Sequence, residues 1–389
     1  MSGFDFSPAS LDREFPVRRN LLYFNHAAVA PLPRRVADAA AAHLADVRDH
    51  GAARWRDWYR AIDATREKAA RLLGASAGEI AFLPNTSWGL NLVAQSFPWK
   101  PGDNAVTDDM EFPSNAYPWM ALEGRGVECR LAKSLGGRVT LADLEEKVDA
   151  RTRVLAVSWV AFHNGWVYPL EEIGAFCRAR GILFVVDGIQ GLGQLPIDVR
   201  RAGVDVLAAD GHKWLYGLEG GAIFYVAEGA RDKVPAAAAG WWNVRTGARY
   251  LDYRLERWTS GRRYEPGTLP TGNLAALSAA LDLLAEMGIE SVRERNLAAA
   301  SAFRDGLSTR GWRSVTPEPL ASGIFAAAPP SGDARAMAKA LEERGIIVSP
   351  REGAVRFSPH AGNDVSEVAR ALAVIDEIAG ASGPLRPSP

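Results

Sequence analysis

The segment LAADGHKWLYGLEGGAIFYV, residues 207 to 226, constrains the fold more than any other stretch of the chain. Two apolar runs bracket a glycine-lined turn, which predicts a buried strand, a tight loop and a second strand. Lys213 stands between a histidine and a tryptophan where the first strand ends. It is one of only seven lysines in 389 residues, and a surface lysine needs no such surroundings.

The chain around this segment alternates short apolar runs with helical patterns. Strands are expected at 79–84, 104–108, 153–160, 182–187, 205–209 and 221–226, with helices at 87–97, 140–148 and 169–180 between several of them. This rhythm predicts an α/β fold with a mostly parallel sheet covered on both faces. Ligands in such sheets gather beyond the carboxyl ends of the strands. Upstream, 34–48 and 55–73 read as helices. Downstream, a long helical pattern over 272–309 precedes apolar runs at 321–329, 346–350 and 354–359 and a helix over 333–344. Asp364 and Glu367 form a capping box, and Val365, Val368, Leu372 and Ile375 share one apolar face of the last helix. The region after 271 reads as a smaller α+β domain, and 381–389 as a disordered tail.

The length allows two domains, or one large domain with an appendage. A net charge of −1, from 45 basic and 46 acidic residues, gives no basic face for nucleic acid. The N-terminus lacks the basic start and apolar run of a signal peptide, and no apolar stretch reaches the length of a membrane span. Cys129, in an expected strand, and Cys177, in an expected helix, form neither a metal-ligand spacing nor a disulfide framework. A reducing cytoplasm and no metal are the expectation.

Several residues could carry chemistry. A desolvated lysine amine is a nucleophile, and its commonest catalytic use is a Schiff base, including that with pyridoxal phosphate. The alternative for Lys213 is a structural stem packed on Trp214. Asp187 ends the strand FVVD and could hold a pyridinium nitrogen protonated, or it could simply cap a helix. Gln190, one turn on, could bond the ring hydroxyl. Asp187 and Lys213 lie on strand ends 26 residues apart, which favours the cofactor reading. Thr86 and Ser87 stand where a strand gives way to a helix, a setting for a phosphate, and His212 could reach the same group. Phe112 could stack on the ring. Asn164 could bond the ring hydroxyl or a substrate carboxylate, and His26 could touch substrate. Arg356, in a short apolar strand, needs a carboxylate partner, from a substrate or from a neighbouring Asp or Glu. The run GIQGLG lacks the register of a dinucleotide loop. Trp241, Trp242, Arg245, Arg254, Arg262 and Arg263 either line a site entrance or are solvated arginines with packed tryptophans.

In order along the chain, YFNHAAVAPLP, NTSWGLN, VVDGIQ, DGHKW, YEPGTLPTG and VRFSPH resemble the motifs of the class V aminotransferases, fold-type I pyridoxal-phosphate enzymes that include the cysteine desulfurases. The resemblance implies a large domain over 21–270 with a mainly parallel, seven-stranded sheet, and a small α+β domain from 1–20 and 271–380. It implies that Lys213 forms the internal aldimine and moves the α-proton of an amino-acid substrate. It implies too that Arg356 binds the carboxylate, and that an obligate homodimer shares its sites, with Thr268 reaching the neighbouring subunit's phosphate. Three departures stand out. The stretch IIVSPREGAVRFSPH has no counterpart of the desulfurase cysteine, Asp210 replaces a common serine, and Phe112 replaces a common histidine. An aminotransferase is the leading expectation. A C–S (β) lyase or an epimerase is the alternative, and a catalytically silent binding protein the third reading.

Overall fold

The strands expected between 79 and 226 assemble into one seven-stranded sheet in a computed structural model, which describes residues 3–245, 249–330 and 332–381. In chain order they are β1 (Ile80–Leu83), β2 (Asn104–Asp108), β3 (Glu128–Ala132), β4 (Thr152–Ser158), β5 (Leu183–Asp187), β6 (Val206–Ala209) and β7 (Ala222–Val226). Their order across the sheet is β1-β7-β6-β5-β4-β2-β3. The pairings from β3 through to β6 are parallel. Strand β7 runs antiparallel to both of its neighbours, β6 and β1, because a loop rather than a crossover helix joins it to β6. Strand β3 escapes the apolar pattern: it is an edge strand whose ECRLA sequence is largely exposed or half-buried. A two-faced central strand needs apolar residues throughout, and an edge strand does not.

Alternation along the strands divides the core. Phe82, Val106, Leu155, Phe184, Val186 and Leu207 enter one apolar cluster, while Ala81, Ala105, Val154, Ala156, Val185 and Val206 enter the other. Helices α1 (Arg34–His50) and α2 (Trp55–Leu73) belong to the first face, α3 (Thr86–Ser96) packs on the second, and α4 (Leu170–Arg180) follows β4.

The helical pattern over 272–309 is two helices, α5 (Thr271–Met287) and α6 (Ile289–Ser308), bent by 81°. Gly288 at φ +74° makes the break, a conformation open to glycine at little cost. The boundary expected at 270/271 falls just before α5, whose Leu274, Leu277, Leu281 and Leu284 join the larger sheet's core. Beyond it, β8 (Arg313–Ser314), β9 (Phe325–Ala328), β10 (Ser349–Arg351) and β11 (Ala354–Phe357) form an antiparallel sheet in the order β10-β11-β9-β8. Helices α6, α7 (Ala334–Glu342) and α8 (Val365–Ala381) share its core through Phe303, Met337, Leu341, Val368 and Ile375. Leu22–Tyr23 pairs in parallel with Ile346–Ile347, tying the N-terminal segment to this layer.

The capping box forms as expected: the Glu367 amide donates to Asp364 Oδ1 at 3.1 Å, and the Asp364 amide to Glu367 Oε2 at 3.1 Å. Val365, however, is exposed, since it sits in the first turn away from the buried stripe. No single described helix is long and apolar enough to cross a membrane. The tail from 382 lies outside the described residues.

Candidate active site

The carboxyl ends of the parallel strands open onto one cavity of about 320 Å³. Asp187 ends β5, Asp210 follows β6, and α3 starts three residues after β1. Thr86, Ser87, Phe112, Asp187, Gln190, His212, Lys213 and Arg356 all line the cavity. Eight residues chosen from sequence therefore meet across 270 positions of chain.

One end of the cavity is built for an anion. Asn85 caps α3, its Oδ1 accepting the Trp88 amide at 2.8 Å. The first-turn amides and the hydroxyls of Thr86 and Ser87 border the cavity, where the helix dipole favours negative charge. Ser87 Oγ and Ser114 Oγ share a hydrogen bond of 2.7 Å. Thr86 Oγ1 accepts the Asp210 amide at 2.9 Å, so its own proton remains to be donated.

The opposite charges lie deeper. Asp187 is 2% exposed, and its Oδ1 accepts the Ile189 amide at 3.0 Å. Burial raises its pKa to about 6, while the nearby Lys213 ammonium pulls in the opposite direction. Burial lowers Lys213 to about 8, with Asp187 opposing the shift and Arg356 and Arg351 adding to it. Such a lysine is an accessible nucleophile and base near neutral pH. Its Nζ lies 5.9 Å from the centroid of Phe112, whose ring meets Phe162 edge-on at 5.2 Å. Gln190 is held at both ends, its Nε2 donating to the Ala27 carbonyl at 2.9 Å and its Oε1 accepting from Trp214 Nε1 at 2.8 Å. One Nε2 proton remains for a ligand.

Arg356 is 1% exposed. Its guanidinium donates to the Phe162 carbonyl at 2.7 Å and to Asn25 Oδ1 at 3.3 Å, and its buried Nε has no partner. No carboxylate pairs with it among the described residues, so the internal salt bridge is absent. Burial, followed by the repulsion of Arg351, lowers its pKa to about 9. The register explains why Arg351 is there: Ser349 pairs with Arg356 and Arg351 with Ala354, which puts both arginines on one face of the sheet. Sequence patterning missed Arg351 because the two-residue turn Glu352–Gly353, both at positive φ, becomes visible only with the hairpin.

Two expectations move. Asn164 does not line the cavity: its amide donates to the Gly137 carbonyl at 2.6 Å and accepts from the Trp166 amide at 3.1 Å, so it braces a turn. His26 is buried behind the site against Trp214, Tyr216 and His360, and burial lowers its pKa to about 4. Thr268, expected to serve the neighbouring subunit's site rather than this one, is exposed and outside this chain's own cavity. None of the residues proposed for the entrance lines the cavity either. Trp242 packs on Tyr59, Arg262 bonds Asp63, and Arg254 pairs with Asp252 and Glu256.

A half-buried lysine near a buried carboxylate, an anion cradle at a helix start and a buried arginine with no carboxylate partner among the described residues suit the aldehyde, ring nitrogen and phosphate of pyridoxal phosphate together with an amino-acid carboxylate. The family model for "Aminotransferase class-V" matches residues 22–368. The chain belongs to that family. Among its class V relatives, a probable cysteine desulfurase of Methanothermobacter thermautotrophicus is 29% identical over 95% of this chain and 97% of its own. The apo cysteine desulfurase of Thermococcus onnurineus superposes with a TM-score of 0.89 at 25% identity, covering 96% of this chain and 98% of that one. A cystine C–S lyase in complex with its product cysteine persulfide gives 0.86 at 25% identity, covering 92% and 98%. This class V protein is a fold-type I enzyme whose cofactor is pyridoxal phosphate.

Proposed function

We propose that this enzyme cleaves a carbon–sulfur bond at Cβ of an amino acid, a disulfide such as cystine being the substrate class, and that no enzyme thiol takes part. The observation that carries this reading is the hairpin β10–β11. The resemblance to desulfurases calls for a loop-borne cysteine just before the arginine strand, and here a two-residue turn closes that interval. Neither thiol substitutes for it. Cys129 is on the edge strand with its pKa raised by burial to about 11, and Cys177 is buried in α4 with its pKa raised to about 12.

Bound pyridoxal phosphate supplies an electron sink for a carbanion at Cα. The chain's own residues do the rest. Arg356 holds the α-carboxylate bidentately, which orients the Cα–H bond. Lys213 Nζ takes the Cα proton as general base, and Asp187 holds a proton on the ring nitrogen. The electron pair left at Cα expels sulfur from Cβ. With water, the carbon skeleton leaves as pyruvate and ammonia, and the sulfur leaves as the persulfide of the remaining half of the disulfide.

A plain aminotransferase is the second reading, favoured by the same lysine, whose Nζ would hold the Cα proton and could pass it on to the bound cofactor with no loss of sulfur from Cβ. The enzyme loaded with cofactor and given cystine should produce pyruvate, ammonia and persulfide in equal amounts. Stoichiometric keto acid with retention of the nitrogen on the enzyme would favour transamination. We further place the enzyme in the cytoplasm, on the strength of its two unpaired cysteines, and as a homodimer in which Thr268 of one copy serves the site of the other.

A further inference from the structure

Asp210 puts a buried carboxylate at the edge of an anion cradle, where simple electrostatics would repel a phosphate. Its contacts show how the charge is handled. Asp210 is 4% exposed; its Oδ1 accepts the Gly211 amide at 2.7 Å and the Gly221 amide at 3.3 Å, and its Oδ2 contacts His212 Nδ1 at 2.9 Å. Its own amide donates to Thr86 Oγ1. The residue therefore ties the ends of β6 and β7 to the start of α3, and it fixes the imidazole ring through one nitrogen. His212 lines the cavity, and its other nitrogen, Nε2, makes no hydrogen bond among the described residues.

We propose that Asp210 is a positioning residue that turns His212 into a charged donor to the cofactor phosphate. Nδ1–H donates to the carboxylate and Nε2–H to a phosphate oxygen. A ring that donates from both nitrogens is an imidazolium, and Asp210 supplies its counter-charge within the fold. The aspartate thus favours the phosphate indirectly, although its own charge has the wrong sign. The proposal holds whichever reaction the cofactor serves.

The test compares equilibrium binding of pyridoxal 5′-phosphate and of pyridoxal, which lacks the phosphate, to the apo forms of wild type, Asp210→Asn, Asp210→Ser, His212→Asn and the double variant Asp210→Asn/His212→Asn. The ratio of the two affinities within one variant is insensitive to a partly misfolded sample. Asp210→Asn and Asp210→Ser should each lower that ratio on the order of tenfold, as expected for one charge-assisted hydrogen bond. They should leave pyridoxal affinity unchanged, and the double variant should be no worse than His212→Asn alone. Equal weakening of both ligands would reduce Asp210 to a brace of the loop and overturn the proposal. So would a rise in the ratio, the result expected of direct repulsion, or two losses that multiply in the double variant.

Discussion

Lys213 and Asp187 each pay a desolvation cost that the other only partly offsets, and both costs are measurable. With Lys213 lowered to about 8, the neutral amine fraction climbs about tenfold per pH unit up to that point and then levels. The rate at which apoenzyme captures pyridoxal phosphate should follow the same curve in stopped-flow absorbance. A rate still climbing at pH 10 would mean an unperturbed lysine. Asp187 gives a prediction about stability. Its folded pKa of about 6 exceeds the ordinary 3.8, so the folded state holds the proton more tightly than the unfolded one. That contribution is present at low pH and is lost as pH rises from about 4 through about 6. Above pH 6 the ionised carboxylate is a burden on the apoenzyme, and Asp187→Asn should stabilise it by about 1–3 kcal/mol in denaturant titrations. The same variant should lose nearly all turnover in the loaded enzyme, because an amide cannot hold the ring nitrogen protonated.

Elements matter because they bring these residues to one edge. Helix α3 lies so close to the sheet that a Cβ at Gly89 would stand 2.9 Å from Ala208 Cβ and 3.0 Å from the Phe224 ring. Gly89→Ala should therefore destabilise by about 1–3 kcal/mol through overpacking, despite alanine's better helix propensity, and it should weaken phosphate binding by shifting the helix start. A neutral or raised melting temperature would refute that packing. Much of this architecture was legible in the chain. The buried strands β5, β6 and β7 announce themselves as short apolar runs, and the strand-end rule leads directly to Asp187 and Lys213. The edge strand β3, expected only from the setting of Cys129, carries no apolar run, and Gly288 breaks a continuous helical pattern that periodicity alone could not divide. Asn164 and His26 were misplaced for a common reason: a polar residue after a buried strand can serve a ligand or brace a turn, and only its partners distinguish the two. Arg351 needed the hairpin register, and the link from Asp210 to His212 needed three dimensions.

The whole molecule keeps its site where the two sheets meet, with the larger one contributing lysine and aspartate and the antiparallel one the arginines. Leu44, Val47 and Trp55 on α1 and α2 are exposed, as are Trp88 and Tyr117, and such surfaces in one molecule suit a subunit interface. Sedimentation equilibrium should give twice the 42.0 kDa chain mass, and a fully active monomer would contradict the homodimer. The account's central claim, sulfur release without an enzyme thiol, is tested most directly by a cysteine-free enzyme. Cys129→Ala/Cys177→Ala, loaded with pyridoxal phosphate, should release persulfide and pyruvate from cystine at close to the wild-type rate. Collapse of that rate in a variant that keeps its fold and its cofactor would contradict the claim and return one of the two thiols to the mechanism.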